Sequence, residues 1–313
     1  MDGVGAEREV VIGNRRVLVS AASGLLGSAL VGALRAEGDA VVTLVRRSAT
    51  GDDEISWDPD AGVLDPAALE GFDAVVHLSG AGIADRRWTA ERKRLLYDSR
   101  INSTRLLVSA LALTSSPPQV LLSASAVGVY GDRGDEVLSE RSAPGGDFFA
   151  RLCVDWEAAA RSSKLSGMRV VNVRSGLVMD ASGGLLKPIL PAFKMGLGGR
   201  IGDGSQWMSW IAVDDHVAAM LHLIDGEVTG PVNLTAPHPV TNLEFTKILG
   251  GVLGRPTVMV VPRVAIETRF GREAASLTAF VSLRVAPQVL LGDDFIFSYP
   301  SLAPALGHVL GRD

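Results

Sequence analysis

Cysteine is nearly absent from this 313-residue chain: Cys153 stands alone, and the five histidines, His77, His216, His222, His238 and His308, are scattered. One thiol excludes an internal disulfide framework, and no Cys/His cluster has the spacing of a zinc site, so no metal is expected. No apolar run reaches about 18 residues, the length a membrane-spanning helix needs. The first residues, Met1-Asp2-Gly3-Val4-Gly5-Ala6-Glu7-Arg8, have neither the basic start nor the apolar core of a secretory signal, and a cytoplasmic location is expected. Nor is there an excess of positive charge. With 30 Lys+Arg against 35 Asp+Glu the net charge is −5, so the field of the whole molecule repels nucleic acid and anionic membrane. A local basic patch can still hold a small anion, and a small-molecule partner is expected, on a monomer or homodimer.

What is present is an ordinary globular composition, 47% hydrophobic and 21% charged, enough for one large domain and a smaller one. Short apolar runs, Val17-Leu18-Val19, Ala40 to Val45, Ala74 to Leu78, Val120 to Ser123 and Met168 to Val173, alternate with helical spacing at about 89–113 and 150–165. That alternation predicts an α/β fold, a Rossmann-type doubly wound parallel sheet. The strand ends, Ser20, Arg46, Ser79 and Ser123, then gather along one edge, where ligands bind. Past residue 178 glycines crowd the chain at Gly183-Gly184, Gly196, Gly198-Gly199, Gly202 and Gly204, which reads as a loop covering a substrate. Val213 to Asp225 reads as a helix. The expected organisation is a flexible extension over 1–14, a dinucleotide domain over 15–178 to which 207–230 returns, and a smaller α+β substrate-side domain from 179–206 and 231–313.

The most informative segment is Ser20-Ala21-Ala22-Ser23-Gly24-Leu25-Leu26-Gly27, between the first apolar run and the stripe Leu30, Val31, Leu34. A strand, a glycine turn and a helix N-terminus offer backbone N–H groups to a pyrophosphate. Ala21 sits where the first glycine of the full pattern would be, an awkward residue if φ must be positive. About 20 residues on, where an acidic residue would read the ribose of NAD, the chain has Arg46-Arg47. Paired guanidiniums suit a 2′-phosphate, so NADP(H) is the expected cofactor, the other reading being two arginines that only solvate a strand end.

Longer motifs follow in order: Ala84-Asp85-Arg86-Arg87-Trp88-Thr89, Ser123-Ala124-Ser125-Ala126-Val127-Gly128-Val129-Tyr130-Gly131-Asp132, Ala150-Arg151-Leu152-Cys153-Val154-Asp155-Trp156-Glu157, Gly196-Leu197-Gly198-Gly199, and Trp210-Ile211-Ala212-Val213-Asp214-Asp215. With them the chain resembles the extended short-chain dehydrogenase/reductases, in particular their atypical, sugar-nucleotide-epimerase-like branch with a small C-terminal domain, some of whose members are labelled cell-division-inhibitor homologues. The resemblance implies a cytoplasmic, epimerase-like oxidoreductase with cofactor contacts from Ser20, Ser23, Gly24, Leu25, Leu26, Arg46, Arg47, Leu78, Ser79, Gly80, Arg100 and Ser123.

The chain also departs from that family. Counting back from Glu157 puts Phe149 at the position of the family's proton-donating tyrosine and Cys153 at that of its lysine, and Arg100 stands where many members have asparagine. A phenyl ring has no proton to give, and a thiol is not a fixed cation. The catalytic candidates that remain are Ser125, just past the strand, and Tyr130, whose phenol is either a replacement acid or a tie for its own loop. Arg86, Arg87 and Trp88 combine two anion-binding forks with an aromatic face, for a small, anionic substrate, or else begin the solvated face of a helix; Trp207 walls either a pocket or a satellite core. The leading expectation is an NADP(H)-dependent oxidoreductase or epimerase-like enzyme. Its rival is an NADP-binding protein without hydride transfer, a cyclase, an isomerase or a regulatory sensor.

Overall fold

The computed structural model describes residues 15–83, 85–161 and 167–312; the extension expected over 1–14 lies outside them. Seven strands make the central sheet: β1 Arg16–Ser20, β2 Ala40–Val45, β3 Glu54–Ser56, β4 Ala74–His77, β5 Val120–Ala126, β6 Arg169–Ser175 and β7 Gly230–Leu234. Their order is β7-β6-β5-β4-β1-β2-β3, and every neighbouring pair is parallel. This is the doubly wound order with one strand added at the β6 edge, and it sets the topological switch between β1 and β4. Helices on both faces bury the sheet on both sides, which is why its strands read as continuous valine and leucine runs.

One layer holds α1 Leu25–Ala36 and α5 Val213–Asp225, whose Leu30, Leu34, Met220 and Leu223 pack on Val17, Val19, Val76 and Val173. The other holds α2 Ala90–Leu111, capped by Thr89, whose Leu107 and Leu111 meet Leu18, Val75 and Leu121. Beside α2 runs α3 Phe148–Ala160, capped by Asp147. The third cluster lies in the C-terminal part, where α4 Leu186–Lys194 and α6 Asn242–Leu253 bury Leu190, Phe193, Phe245 and Leu249 around Trp210. A capping box between Thr241 and Glu244 starts α6. Two short helices, α7 Arg263–Phe270 and α8 Arg272–Thr278, follow, and no residue of α7 is buried.

Three expectations need correction. The glycine-crowded segment is not all loop: between Gly184 and Gly196 the sequence is free of glycine and has Leu186, Leu190 and Phe193 at helical spacing, and it forms α4. Ser123 is not a strand end. Alternating serine and alanine hide the continuation of β5, but its ladder with β6 runs on to Ala126, so Ser125 lies within the strand and not past it, and Ser123 lies fully buried opposite His77. The sheet also takes one strand from beyond 230, since β7 pairs with β6 through Leu234. Farther on, Leu290, Phe295 and Phe297 pack against the same core as α1 and α5, whereas Leu302 and Leu306 join the C-terminal cluster, so the last part of the chain is shared between the sheet domain and the C-terminal part.

Candidate active site

The glycine turn closes as a ligand cradle. Gly24 caps α1 without a side-chain hydrogen bond, the first turn of α1 has no acidic residue, and the Gly24 amide donates to the Ala21 carbonyl at 2.9 Å. The first amides of α1 are thus left for a ligand. Ala21 adopts φ +54°, the left-handed region where alanine costs about 1 kcal/mol. Gly27 explains why the turn is held so: a Cβ there would stand 2.3 Å from the Ala21 oxygen and 2.8 Å from Ala22 Cα, so only glycine lets helix and turn approach. Ser23 and Gly24 are exposed, and Leu25 and Leu26 are half-buried beside them.

Ser20 works inward. Its hydroxyl accepts from the Leu78 amide and from Ser79 Oγ, both at 3.0 Å, and so donates to His77 Nδ1 at 2.9 Å. His77 then carries its hydrogen on Nε2 and donates to Thr104 Oγ1 at 3.1 Å, which also receives the Trp156 indole N–H at 3.1 Å. Burial pushes the His77 imidazole down to about 4, so it is neutral at neutral pH. The hydrogen bonds lock the carboxyl ends of β1 and β4 together and leave Ser79 and Gly80 at the rim.

Arg100 lies beneath that rim and is 6% exposed. Its Nη1 donates to the Leu96 carbonyl at 3.0 Å, its Nη2 to the Ala81 carbonyl at 2.9 Å, and it lies 4.9 Å from the centroid of the Trp156 ring. No carboxylate among the described residues pairs with it, and its Nε has no partner. Burial lowers its pKa to about 10, which still leaves it protonated at neutral pH.

Arg46 and Arg47 lie exposed at the end of β2, each already engaged: Arg46 with Asp60, and Arg47 with both carboxylate oxygens of Glu54. The Arg47 hydrogen bonds, with help from Thr50, hold the Glu54 carboxyl down at about 2.

At the carboxyl ends of β5 and β6 the structure joins five side chains that the sequence left unconnected. Ser125 Oγ donates to Glu157 Oε1 at 2.8 Å; Arg174 donates to both Glu157 oxygens, at 2.7 and 2.9 Å, and to the Tyr130 oxygen at 2.9 Å; Tyr130 donates to Asn233 Oδ1 at 2.7 Å. Tyr130 has no exposed surface, and burial pushes its phenol up. Both catalytic candidates therefore spend their protons inside this network. Cys153, fully buried, has its thiol pushed up to about 12 by burial, with Glu157 adding to the effect.

Next to the network opens a cavity of about 580 Å³. Its sheet side is formed by Ala126, Gly128 and Ser175, Phe149 covers it from α3, and Trp207 stands on the far wall. A Cβ on Gly128 would meet the Phe149 ring at 2.3 Å, so the glycine is what seats the phenyl group. Ser125 and Tyr130 do not line the cavity. The hydroxyl that does so on the sheet side is Ser175, 2.8 Å from His216 Nε2. His216 is fully buried, burial pushes it down to about 4, and its Nδ1 has no partner. Neither residue stood out in the sequence; the one signal was the position of Ser175 at the end of a strand whose neighbour ends in Ser125-Ala126.

The substrate candidates divide. Trp207 lines the cavity and donates from Nε1 to Asp135 at 2.6 Å, with Arg284 stacked on its ring. Trp88 buttresses it from behind, with its ring edge-on to Phe148 and Phe149 and its Nε1 bonded to the carbonyl of Ile83. Arg86 and Arg87 are exposed and outside the lining. Among the described residues no group of three or more potential metal ligands comes together, and no helix is long and apolar enough to cross a membrane.

Residues 17–234 match the NAD dependent epimerase/dehydratase family, and 261–309 match a domain of unknown function, DUF1731. Epimerase family protein Mb2239 of Mycobacterium bovis is 43% identical over 300 residues, 96% of this chain and 99% of that protein. The human epimerase family protein SDR39U1, crystallised with NADPH, superposes with a TM-score of 0.87 at 32% identity, covering 95% of this chain and 99% of that one. A structure described as a nucleoside-diphosphate sugar epimerase from Corynebacterium glutamicum gives 0.79 at 34% identity, covering 96% of this chain and 59% of the other. With the cradle at Gly24, the switch between β1 and β4 and these similarities along nearly its whole length, the chain belongs to the NAD dependent epimerase/dehydratase family, with a DUF1731 domain at its C-terminal end.

Proposed function

We propose that the protein binds NADPH and is an oxidoreductase that acts on a small organic molecule held in the cavity. The observation that carries this reading is the placement of Ser175 on the cavity wall with the neutral His216 behind it, on the side where Phe149 replaces the family's tyrosine. The cradle fits the cofactor: an uncapped helix start, the close approach at Gly27, and Arg100, a buried cation without a carboxylate partner. Gly24, Leu25 and Leu26 would hold the pyrophosphate, Ser79, Gly80 and Arg100 the ribose side, and Arg46 and Arg47 the 2′-phosphate. NADPH, when bound, supplies a hydride.

The chain's own part is to orient the substrate and supply a hydrogen bond to its oxygen. If His216 keeps its hydrogen on Nε2 and donates it to Ser175 Oγ, the Ser175 hydroxyl is free to donate into the cavity. This tautomer leaves His216 Nδ1 a bare acceptor, which is less costly to bury unpaired than an N–H. Ser125 and Tyr130 would then be positioning residues, holding Glu157 and Arg174 under the cavity wall.

Removing one donor to a developing oxyanion typically costs about 10²–10³-fold in rate. Ser175→Ala is expected to slow NADPH oxidation about a hundredfold on a carbonyl compound that the wild type reduces, with NADPH affinity within about threefold. Full activity in Ser175→Ala overturns the role of Ser175. A second reading, cofactor binding without hydride transfer, draws on Phe149 and on the fully buried Cys153 at the family's tyrosine and lysine positions. It takes over if substrate turns over with no net change in NADPH and no deuterium passing between labelled cofactor and product.

A further inference from the structure

Among the described residues, no charged side chain lines the cavity. The hydroxyl and carboxamide side chains among them that do line it are Ser175, Gln206, Ser209, Asn242, Thr246 and Thr278, and Gln206, Ser209, Asn242 and Thr278 are engaged by the protein. Ser175 accepts from His216 in the tautomer proposed above, which keeps its hydroxyl hydrogen for the ligand. Gln206 Nε2 donates to the carbonyls of Ile201 and Ala279, and Ser209 Oγ donates to the Leu283 carbonyl while accepting the Val285 amide. Asn242 Oδ1 accepts the Ile201 amide and its Nδ2 faces Met208 sulfur, and Thr278 donates to the Ala274 carbonyl. Thr246 differs: it is 2% exposed and its hydroxyl has no partner.

Everything else in the lining is apolar, including Leu185, Ile189 and Phe193 from the α4 side and Leu277 from α8. The rim continues in kind. Leu197 lines the cavity yet is 56% exposed, and Met259, paired in register with Gly199, is 48% exposed. On the outer wall, α7 contributes Ile266 to the lining and buries none of its own residues.

We infer that this site takes a neutral, predominantly apolar molecule with a single hydroxyl or carbonyl group, and excludes a nucleoside diphosphate sugar. The inference rests on the reading of the cavity as the substrate site. Burying a diphosphate without cations to pair with it costs far more than the surrounding contacts return, whereas an aliphatic or ring body gains from each apolar wall. A volume of about 580 Å³ is within the range that holds a drug-sized ligand. Thr246 supplies a second polar contact beside that of Ser175, its hydroxyl turning about the Cα–Cβ bond toward the ligand's oxygen and gaining a hydrogen bond that it otherwise lacks.

The test uses the full-length protein and the neutral fluorophore N-phenyl-1-naphthylamine, displaced in turn by 1-decanol, decanoate and UDP-glucose. The fluorophore should bind, 1-decanol should displace it at concentrations at least about tenfold below those of decanoate, and UDP-glucose should not displace it, because each charge would enter unpaired. Ala192→Trp on α4 and Ala279→Trp past α8 fill the cavity from different walls. Either one, if thermal unfolding shows it folded, should abolish fluorophore binding. Thr246→Val should weaken 1-decanol about three- to tenfold and leave the fluorophore unaffected.

Displacement by UDP-glucose, equal displacement by decanoate and decanol, or fluorophore binding that survives both tryptophans overturns the inference; an unaltered Thr246→Val overturns the role of Thr246. NADPH is titrated separately. Its failure to bind while the fluorophore binds removes the cofactor reading and leaves the pocket assignment, and the converse removes the pocket assignment alone.

Discussion

Among the described residues, the turn region, built from β1, α1, β4 and α2, buries Arg100 with no carboxylate beside it, whereas the cavity walled by α4, α6 and α8 has no charged side chain in its lining. A third environment calibrates the two: Arg174, 8% exposed, is buried to a similar degree but is matched oxygen for nitrogen by Glu157. An unpaired buried ion costs several kcal/mol, and a paired one can come near to balance. The unpaired cation sits beneath Gly80 and Ala81, past the end of β4, and against the Trp156 ring. On the proposed reading, then, an anion would be admitted on the side of β1 and β4 and refused on the cavity side.

The largest expected effect separates the two regions. Gly27→Val puts a Cβ at 2.3 Å from the Ala21 oxygen, a contact with backbone that no rotamer relieves, and it should weaken NADPH at least about a hundredfold by forcing α1 away from the turn. Calorimetric titration reads this, and fluorophore binding in the cavity should persist. Loss of both would show that the two regions form one cooperative unit and end the comparison.

A sharper cut comes from Arg100→Met. If this guanidinium is held for the ribose side of the cofactor, its loss removes a charge-assisted contact of about 1.5–3 kcal/mol, which is roughly ten- to a hundredfold in NADPH affinity. Because the same charge is buried unpaired, thermal stability should be unchanged or higher. A fall in stability with unchanged NADPH affinity would make Arg100 a structural residue, held by the carbonyls of Leu96 and Ala81.

How far each region could be read in advance follows from how it is built. The cradle is local: Ser20 to Gly27 is eight consecutive residues, and its strand, turn and helix cap are all written in them. The parallel sheet was also legible, because strands buried on both faces must be runs of apolar residues. The cavity was not, since its wall gathers Phe149, Ser175, Trp207, Thr246 and Leu277 from distant segments, and no spacing rule connects them. The Ser125–Glu157–Arg174–Tyr130 network shows the same limit. Ser125, Tyr130 and Glu157 were visible and Arg174 was not singled out, and a hydroxyl already donating to a carboxylate looks, in sequence, like a free one. Even α4 was hidden, because the glycines on either side of it set the texture of the whole stretch.

The smallest expected effect concerns Arg46, where the turn region meets solvent. Two arginines after β2 suggested a strong 2′-phosphate clamp, yet both forks are occupied. Arg47 is the more tightly engaged: it meets both oxygens of Glu54, whose carboxyl is held at about 2 and stays ionised throughout the physiological range. Arg46 has a single ion pair, with Asp60, and both side chains are mostly exposed, 65% and 74%. Exposed pairs of this kind contribute about 0–1 kcal/mol, so a dianionic phosphate can displace Asp60 at little cost, whereas displacing Glu54 means breaking a forked contact. The selectivity for NADPH over NADH should therefore reside mainly in Arg46. Arg46→Ala is expected to weaken NADPH by about three- to tenfold, less than a full charge-assisted contact is worth, since Asp60 already neutralises part of the charge. Asp60→Asn should act in the opposite direction, tightening NADPH by up to about threefold at low ionic strength and less as added salt screens the site. NADH should respond to neither change. If NADH weakens together with NADPH in Arg46→Ala, the arginine acts on the turn as a whole and not on the 2′-phosphate; if Asp60→Asn weakens NADPH, the ion pair holds Arg46 in its binding pose and does not compete with the ligand.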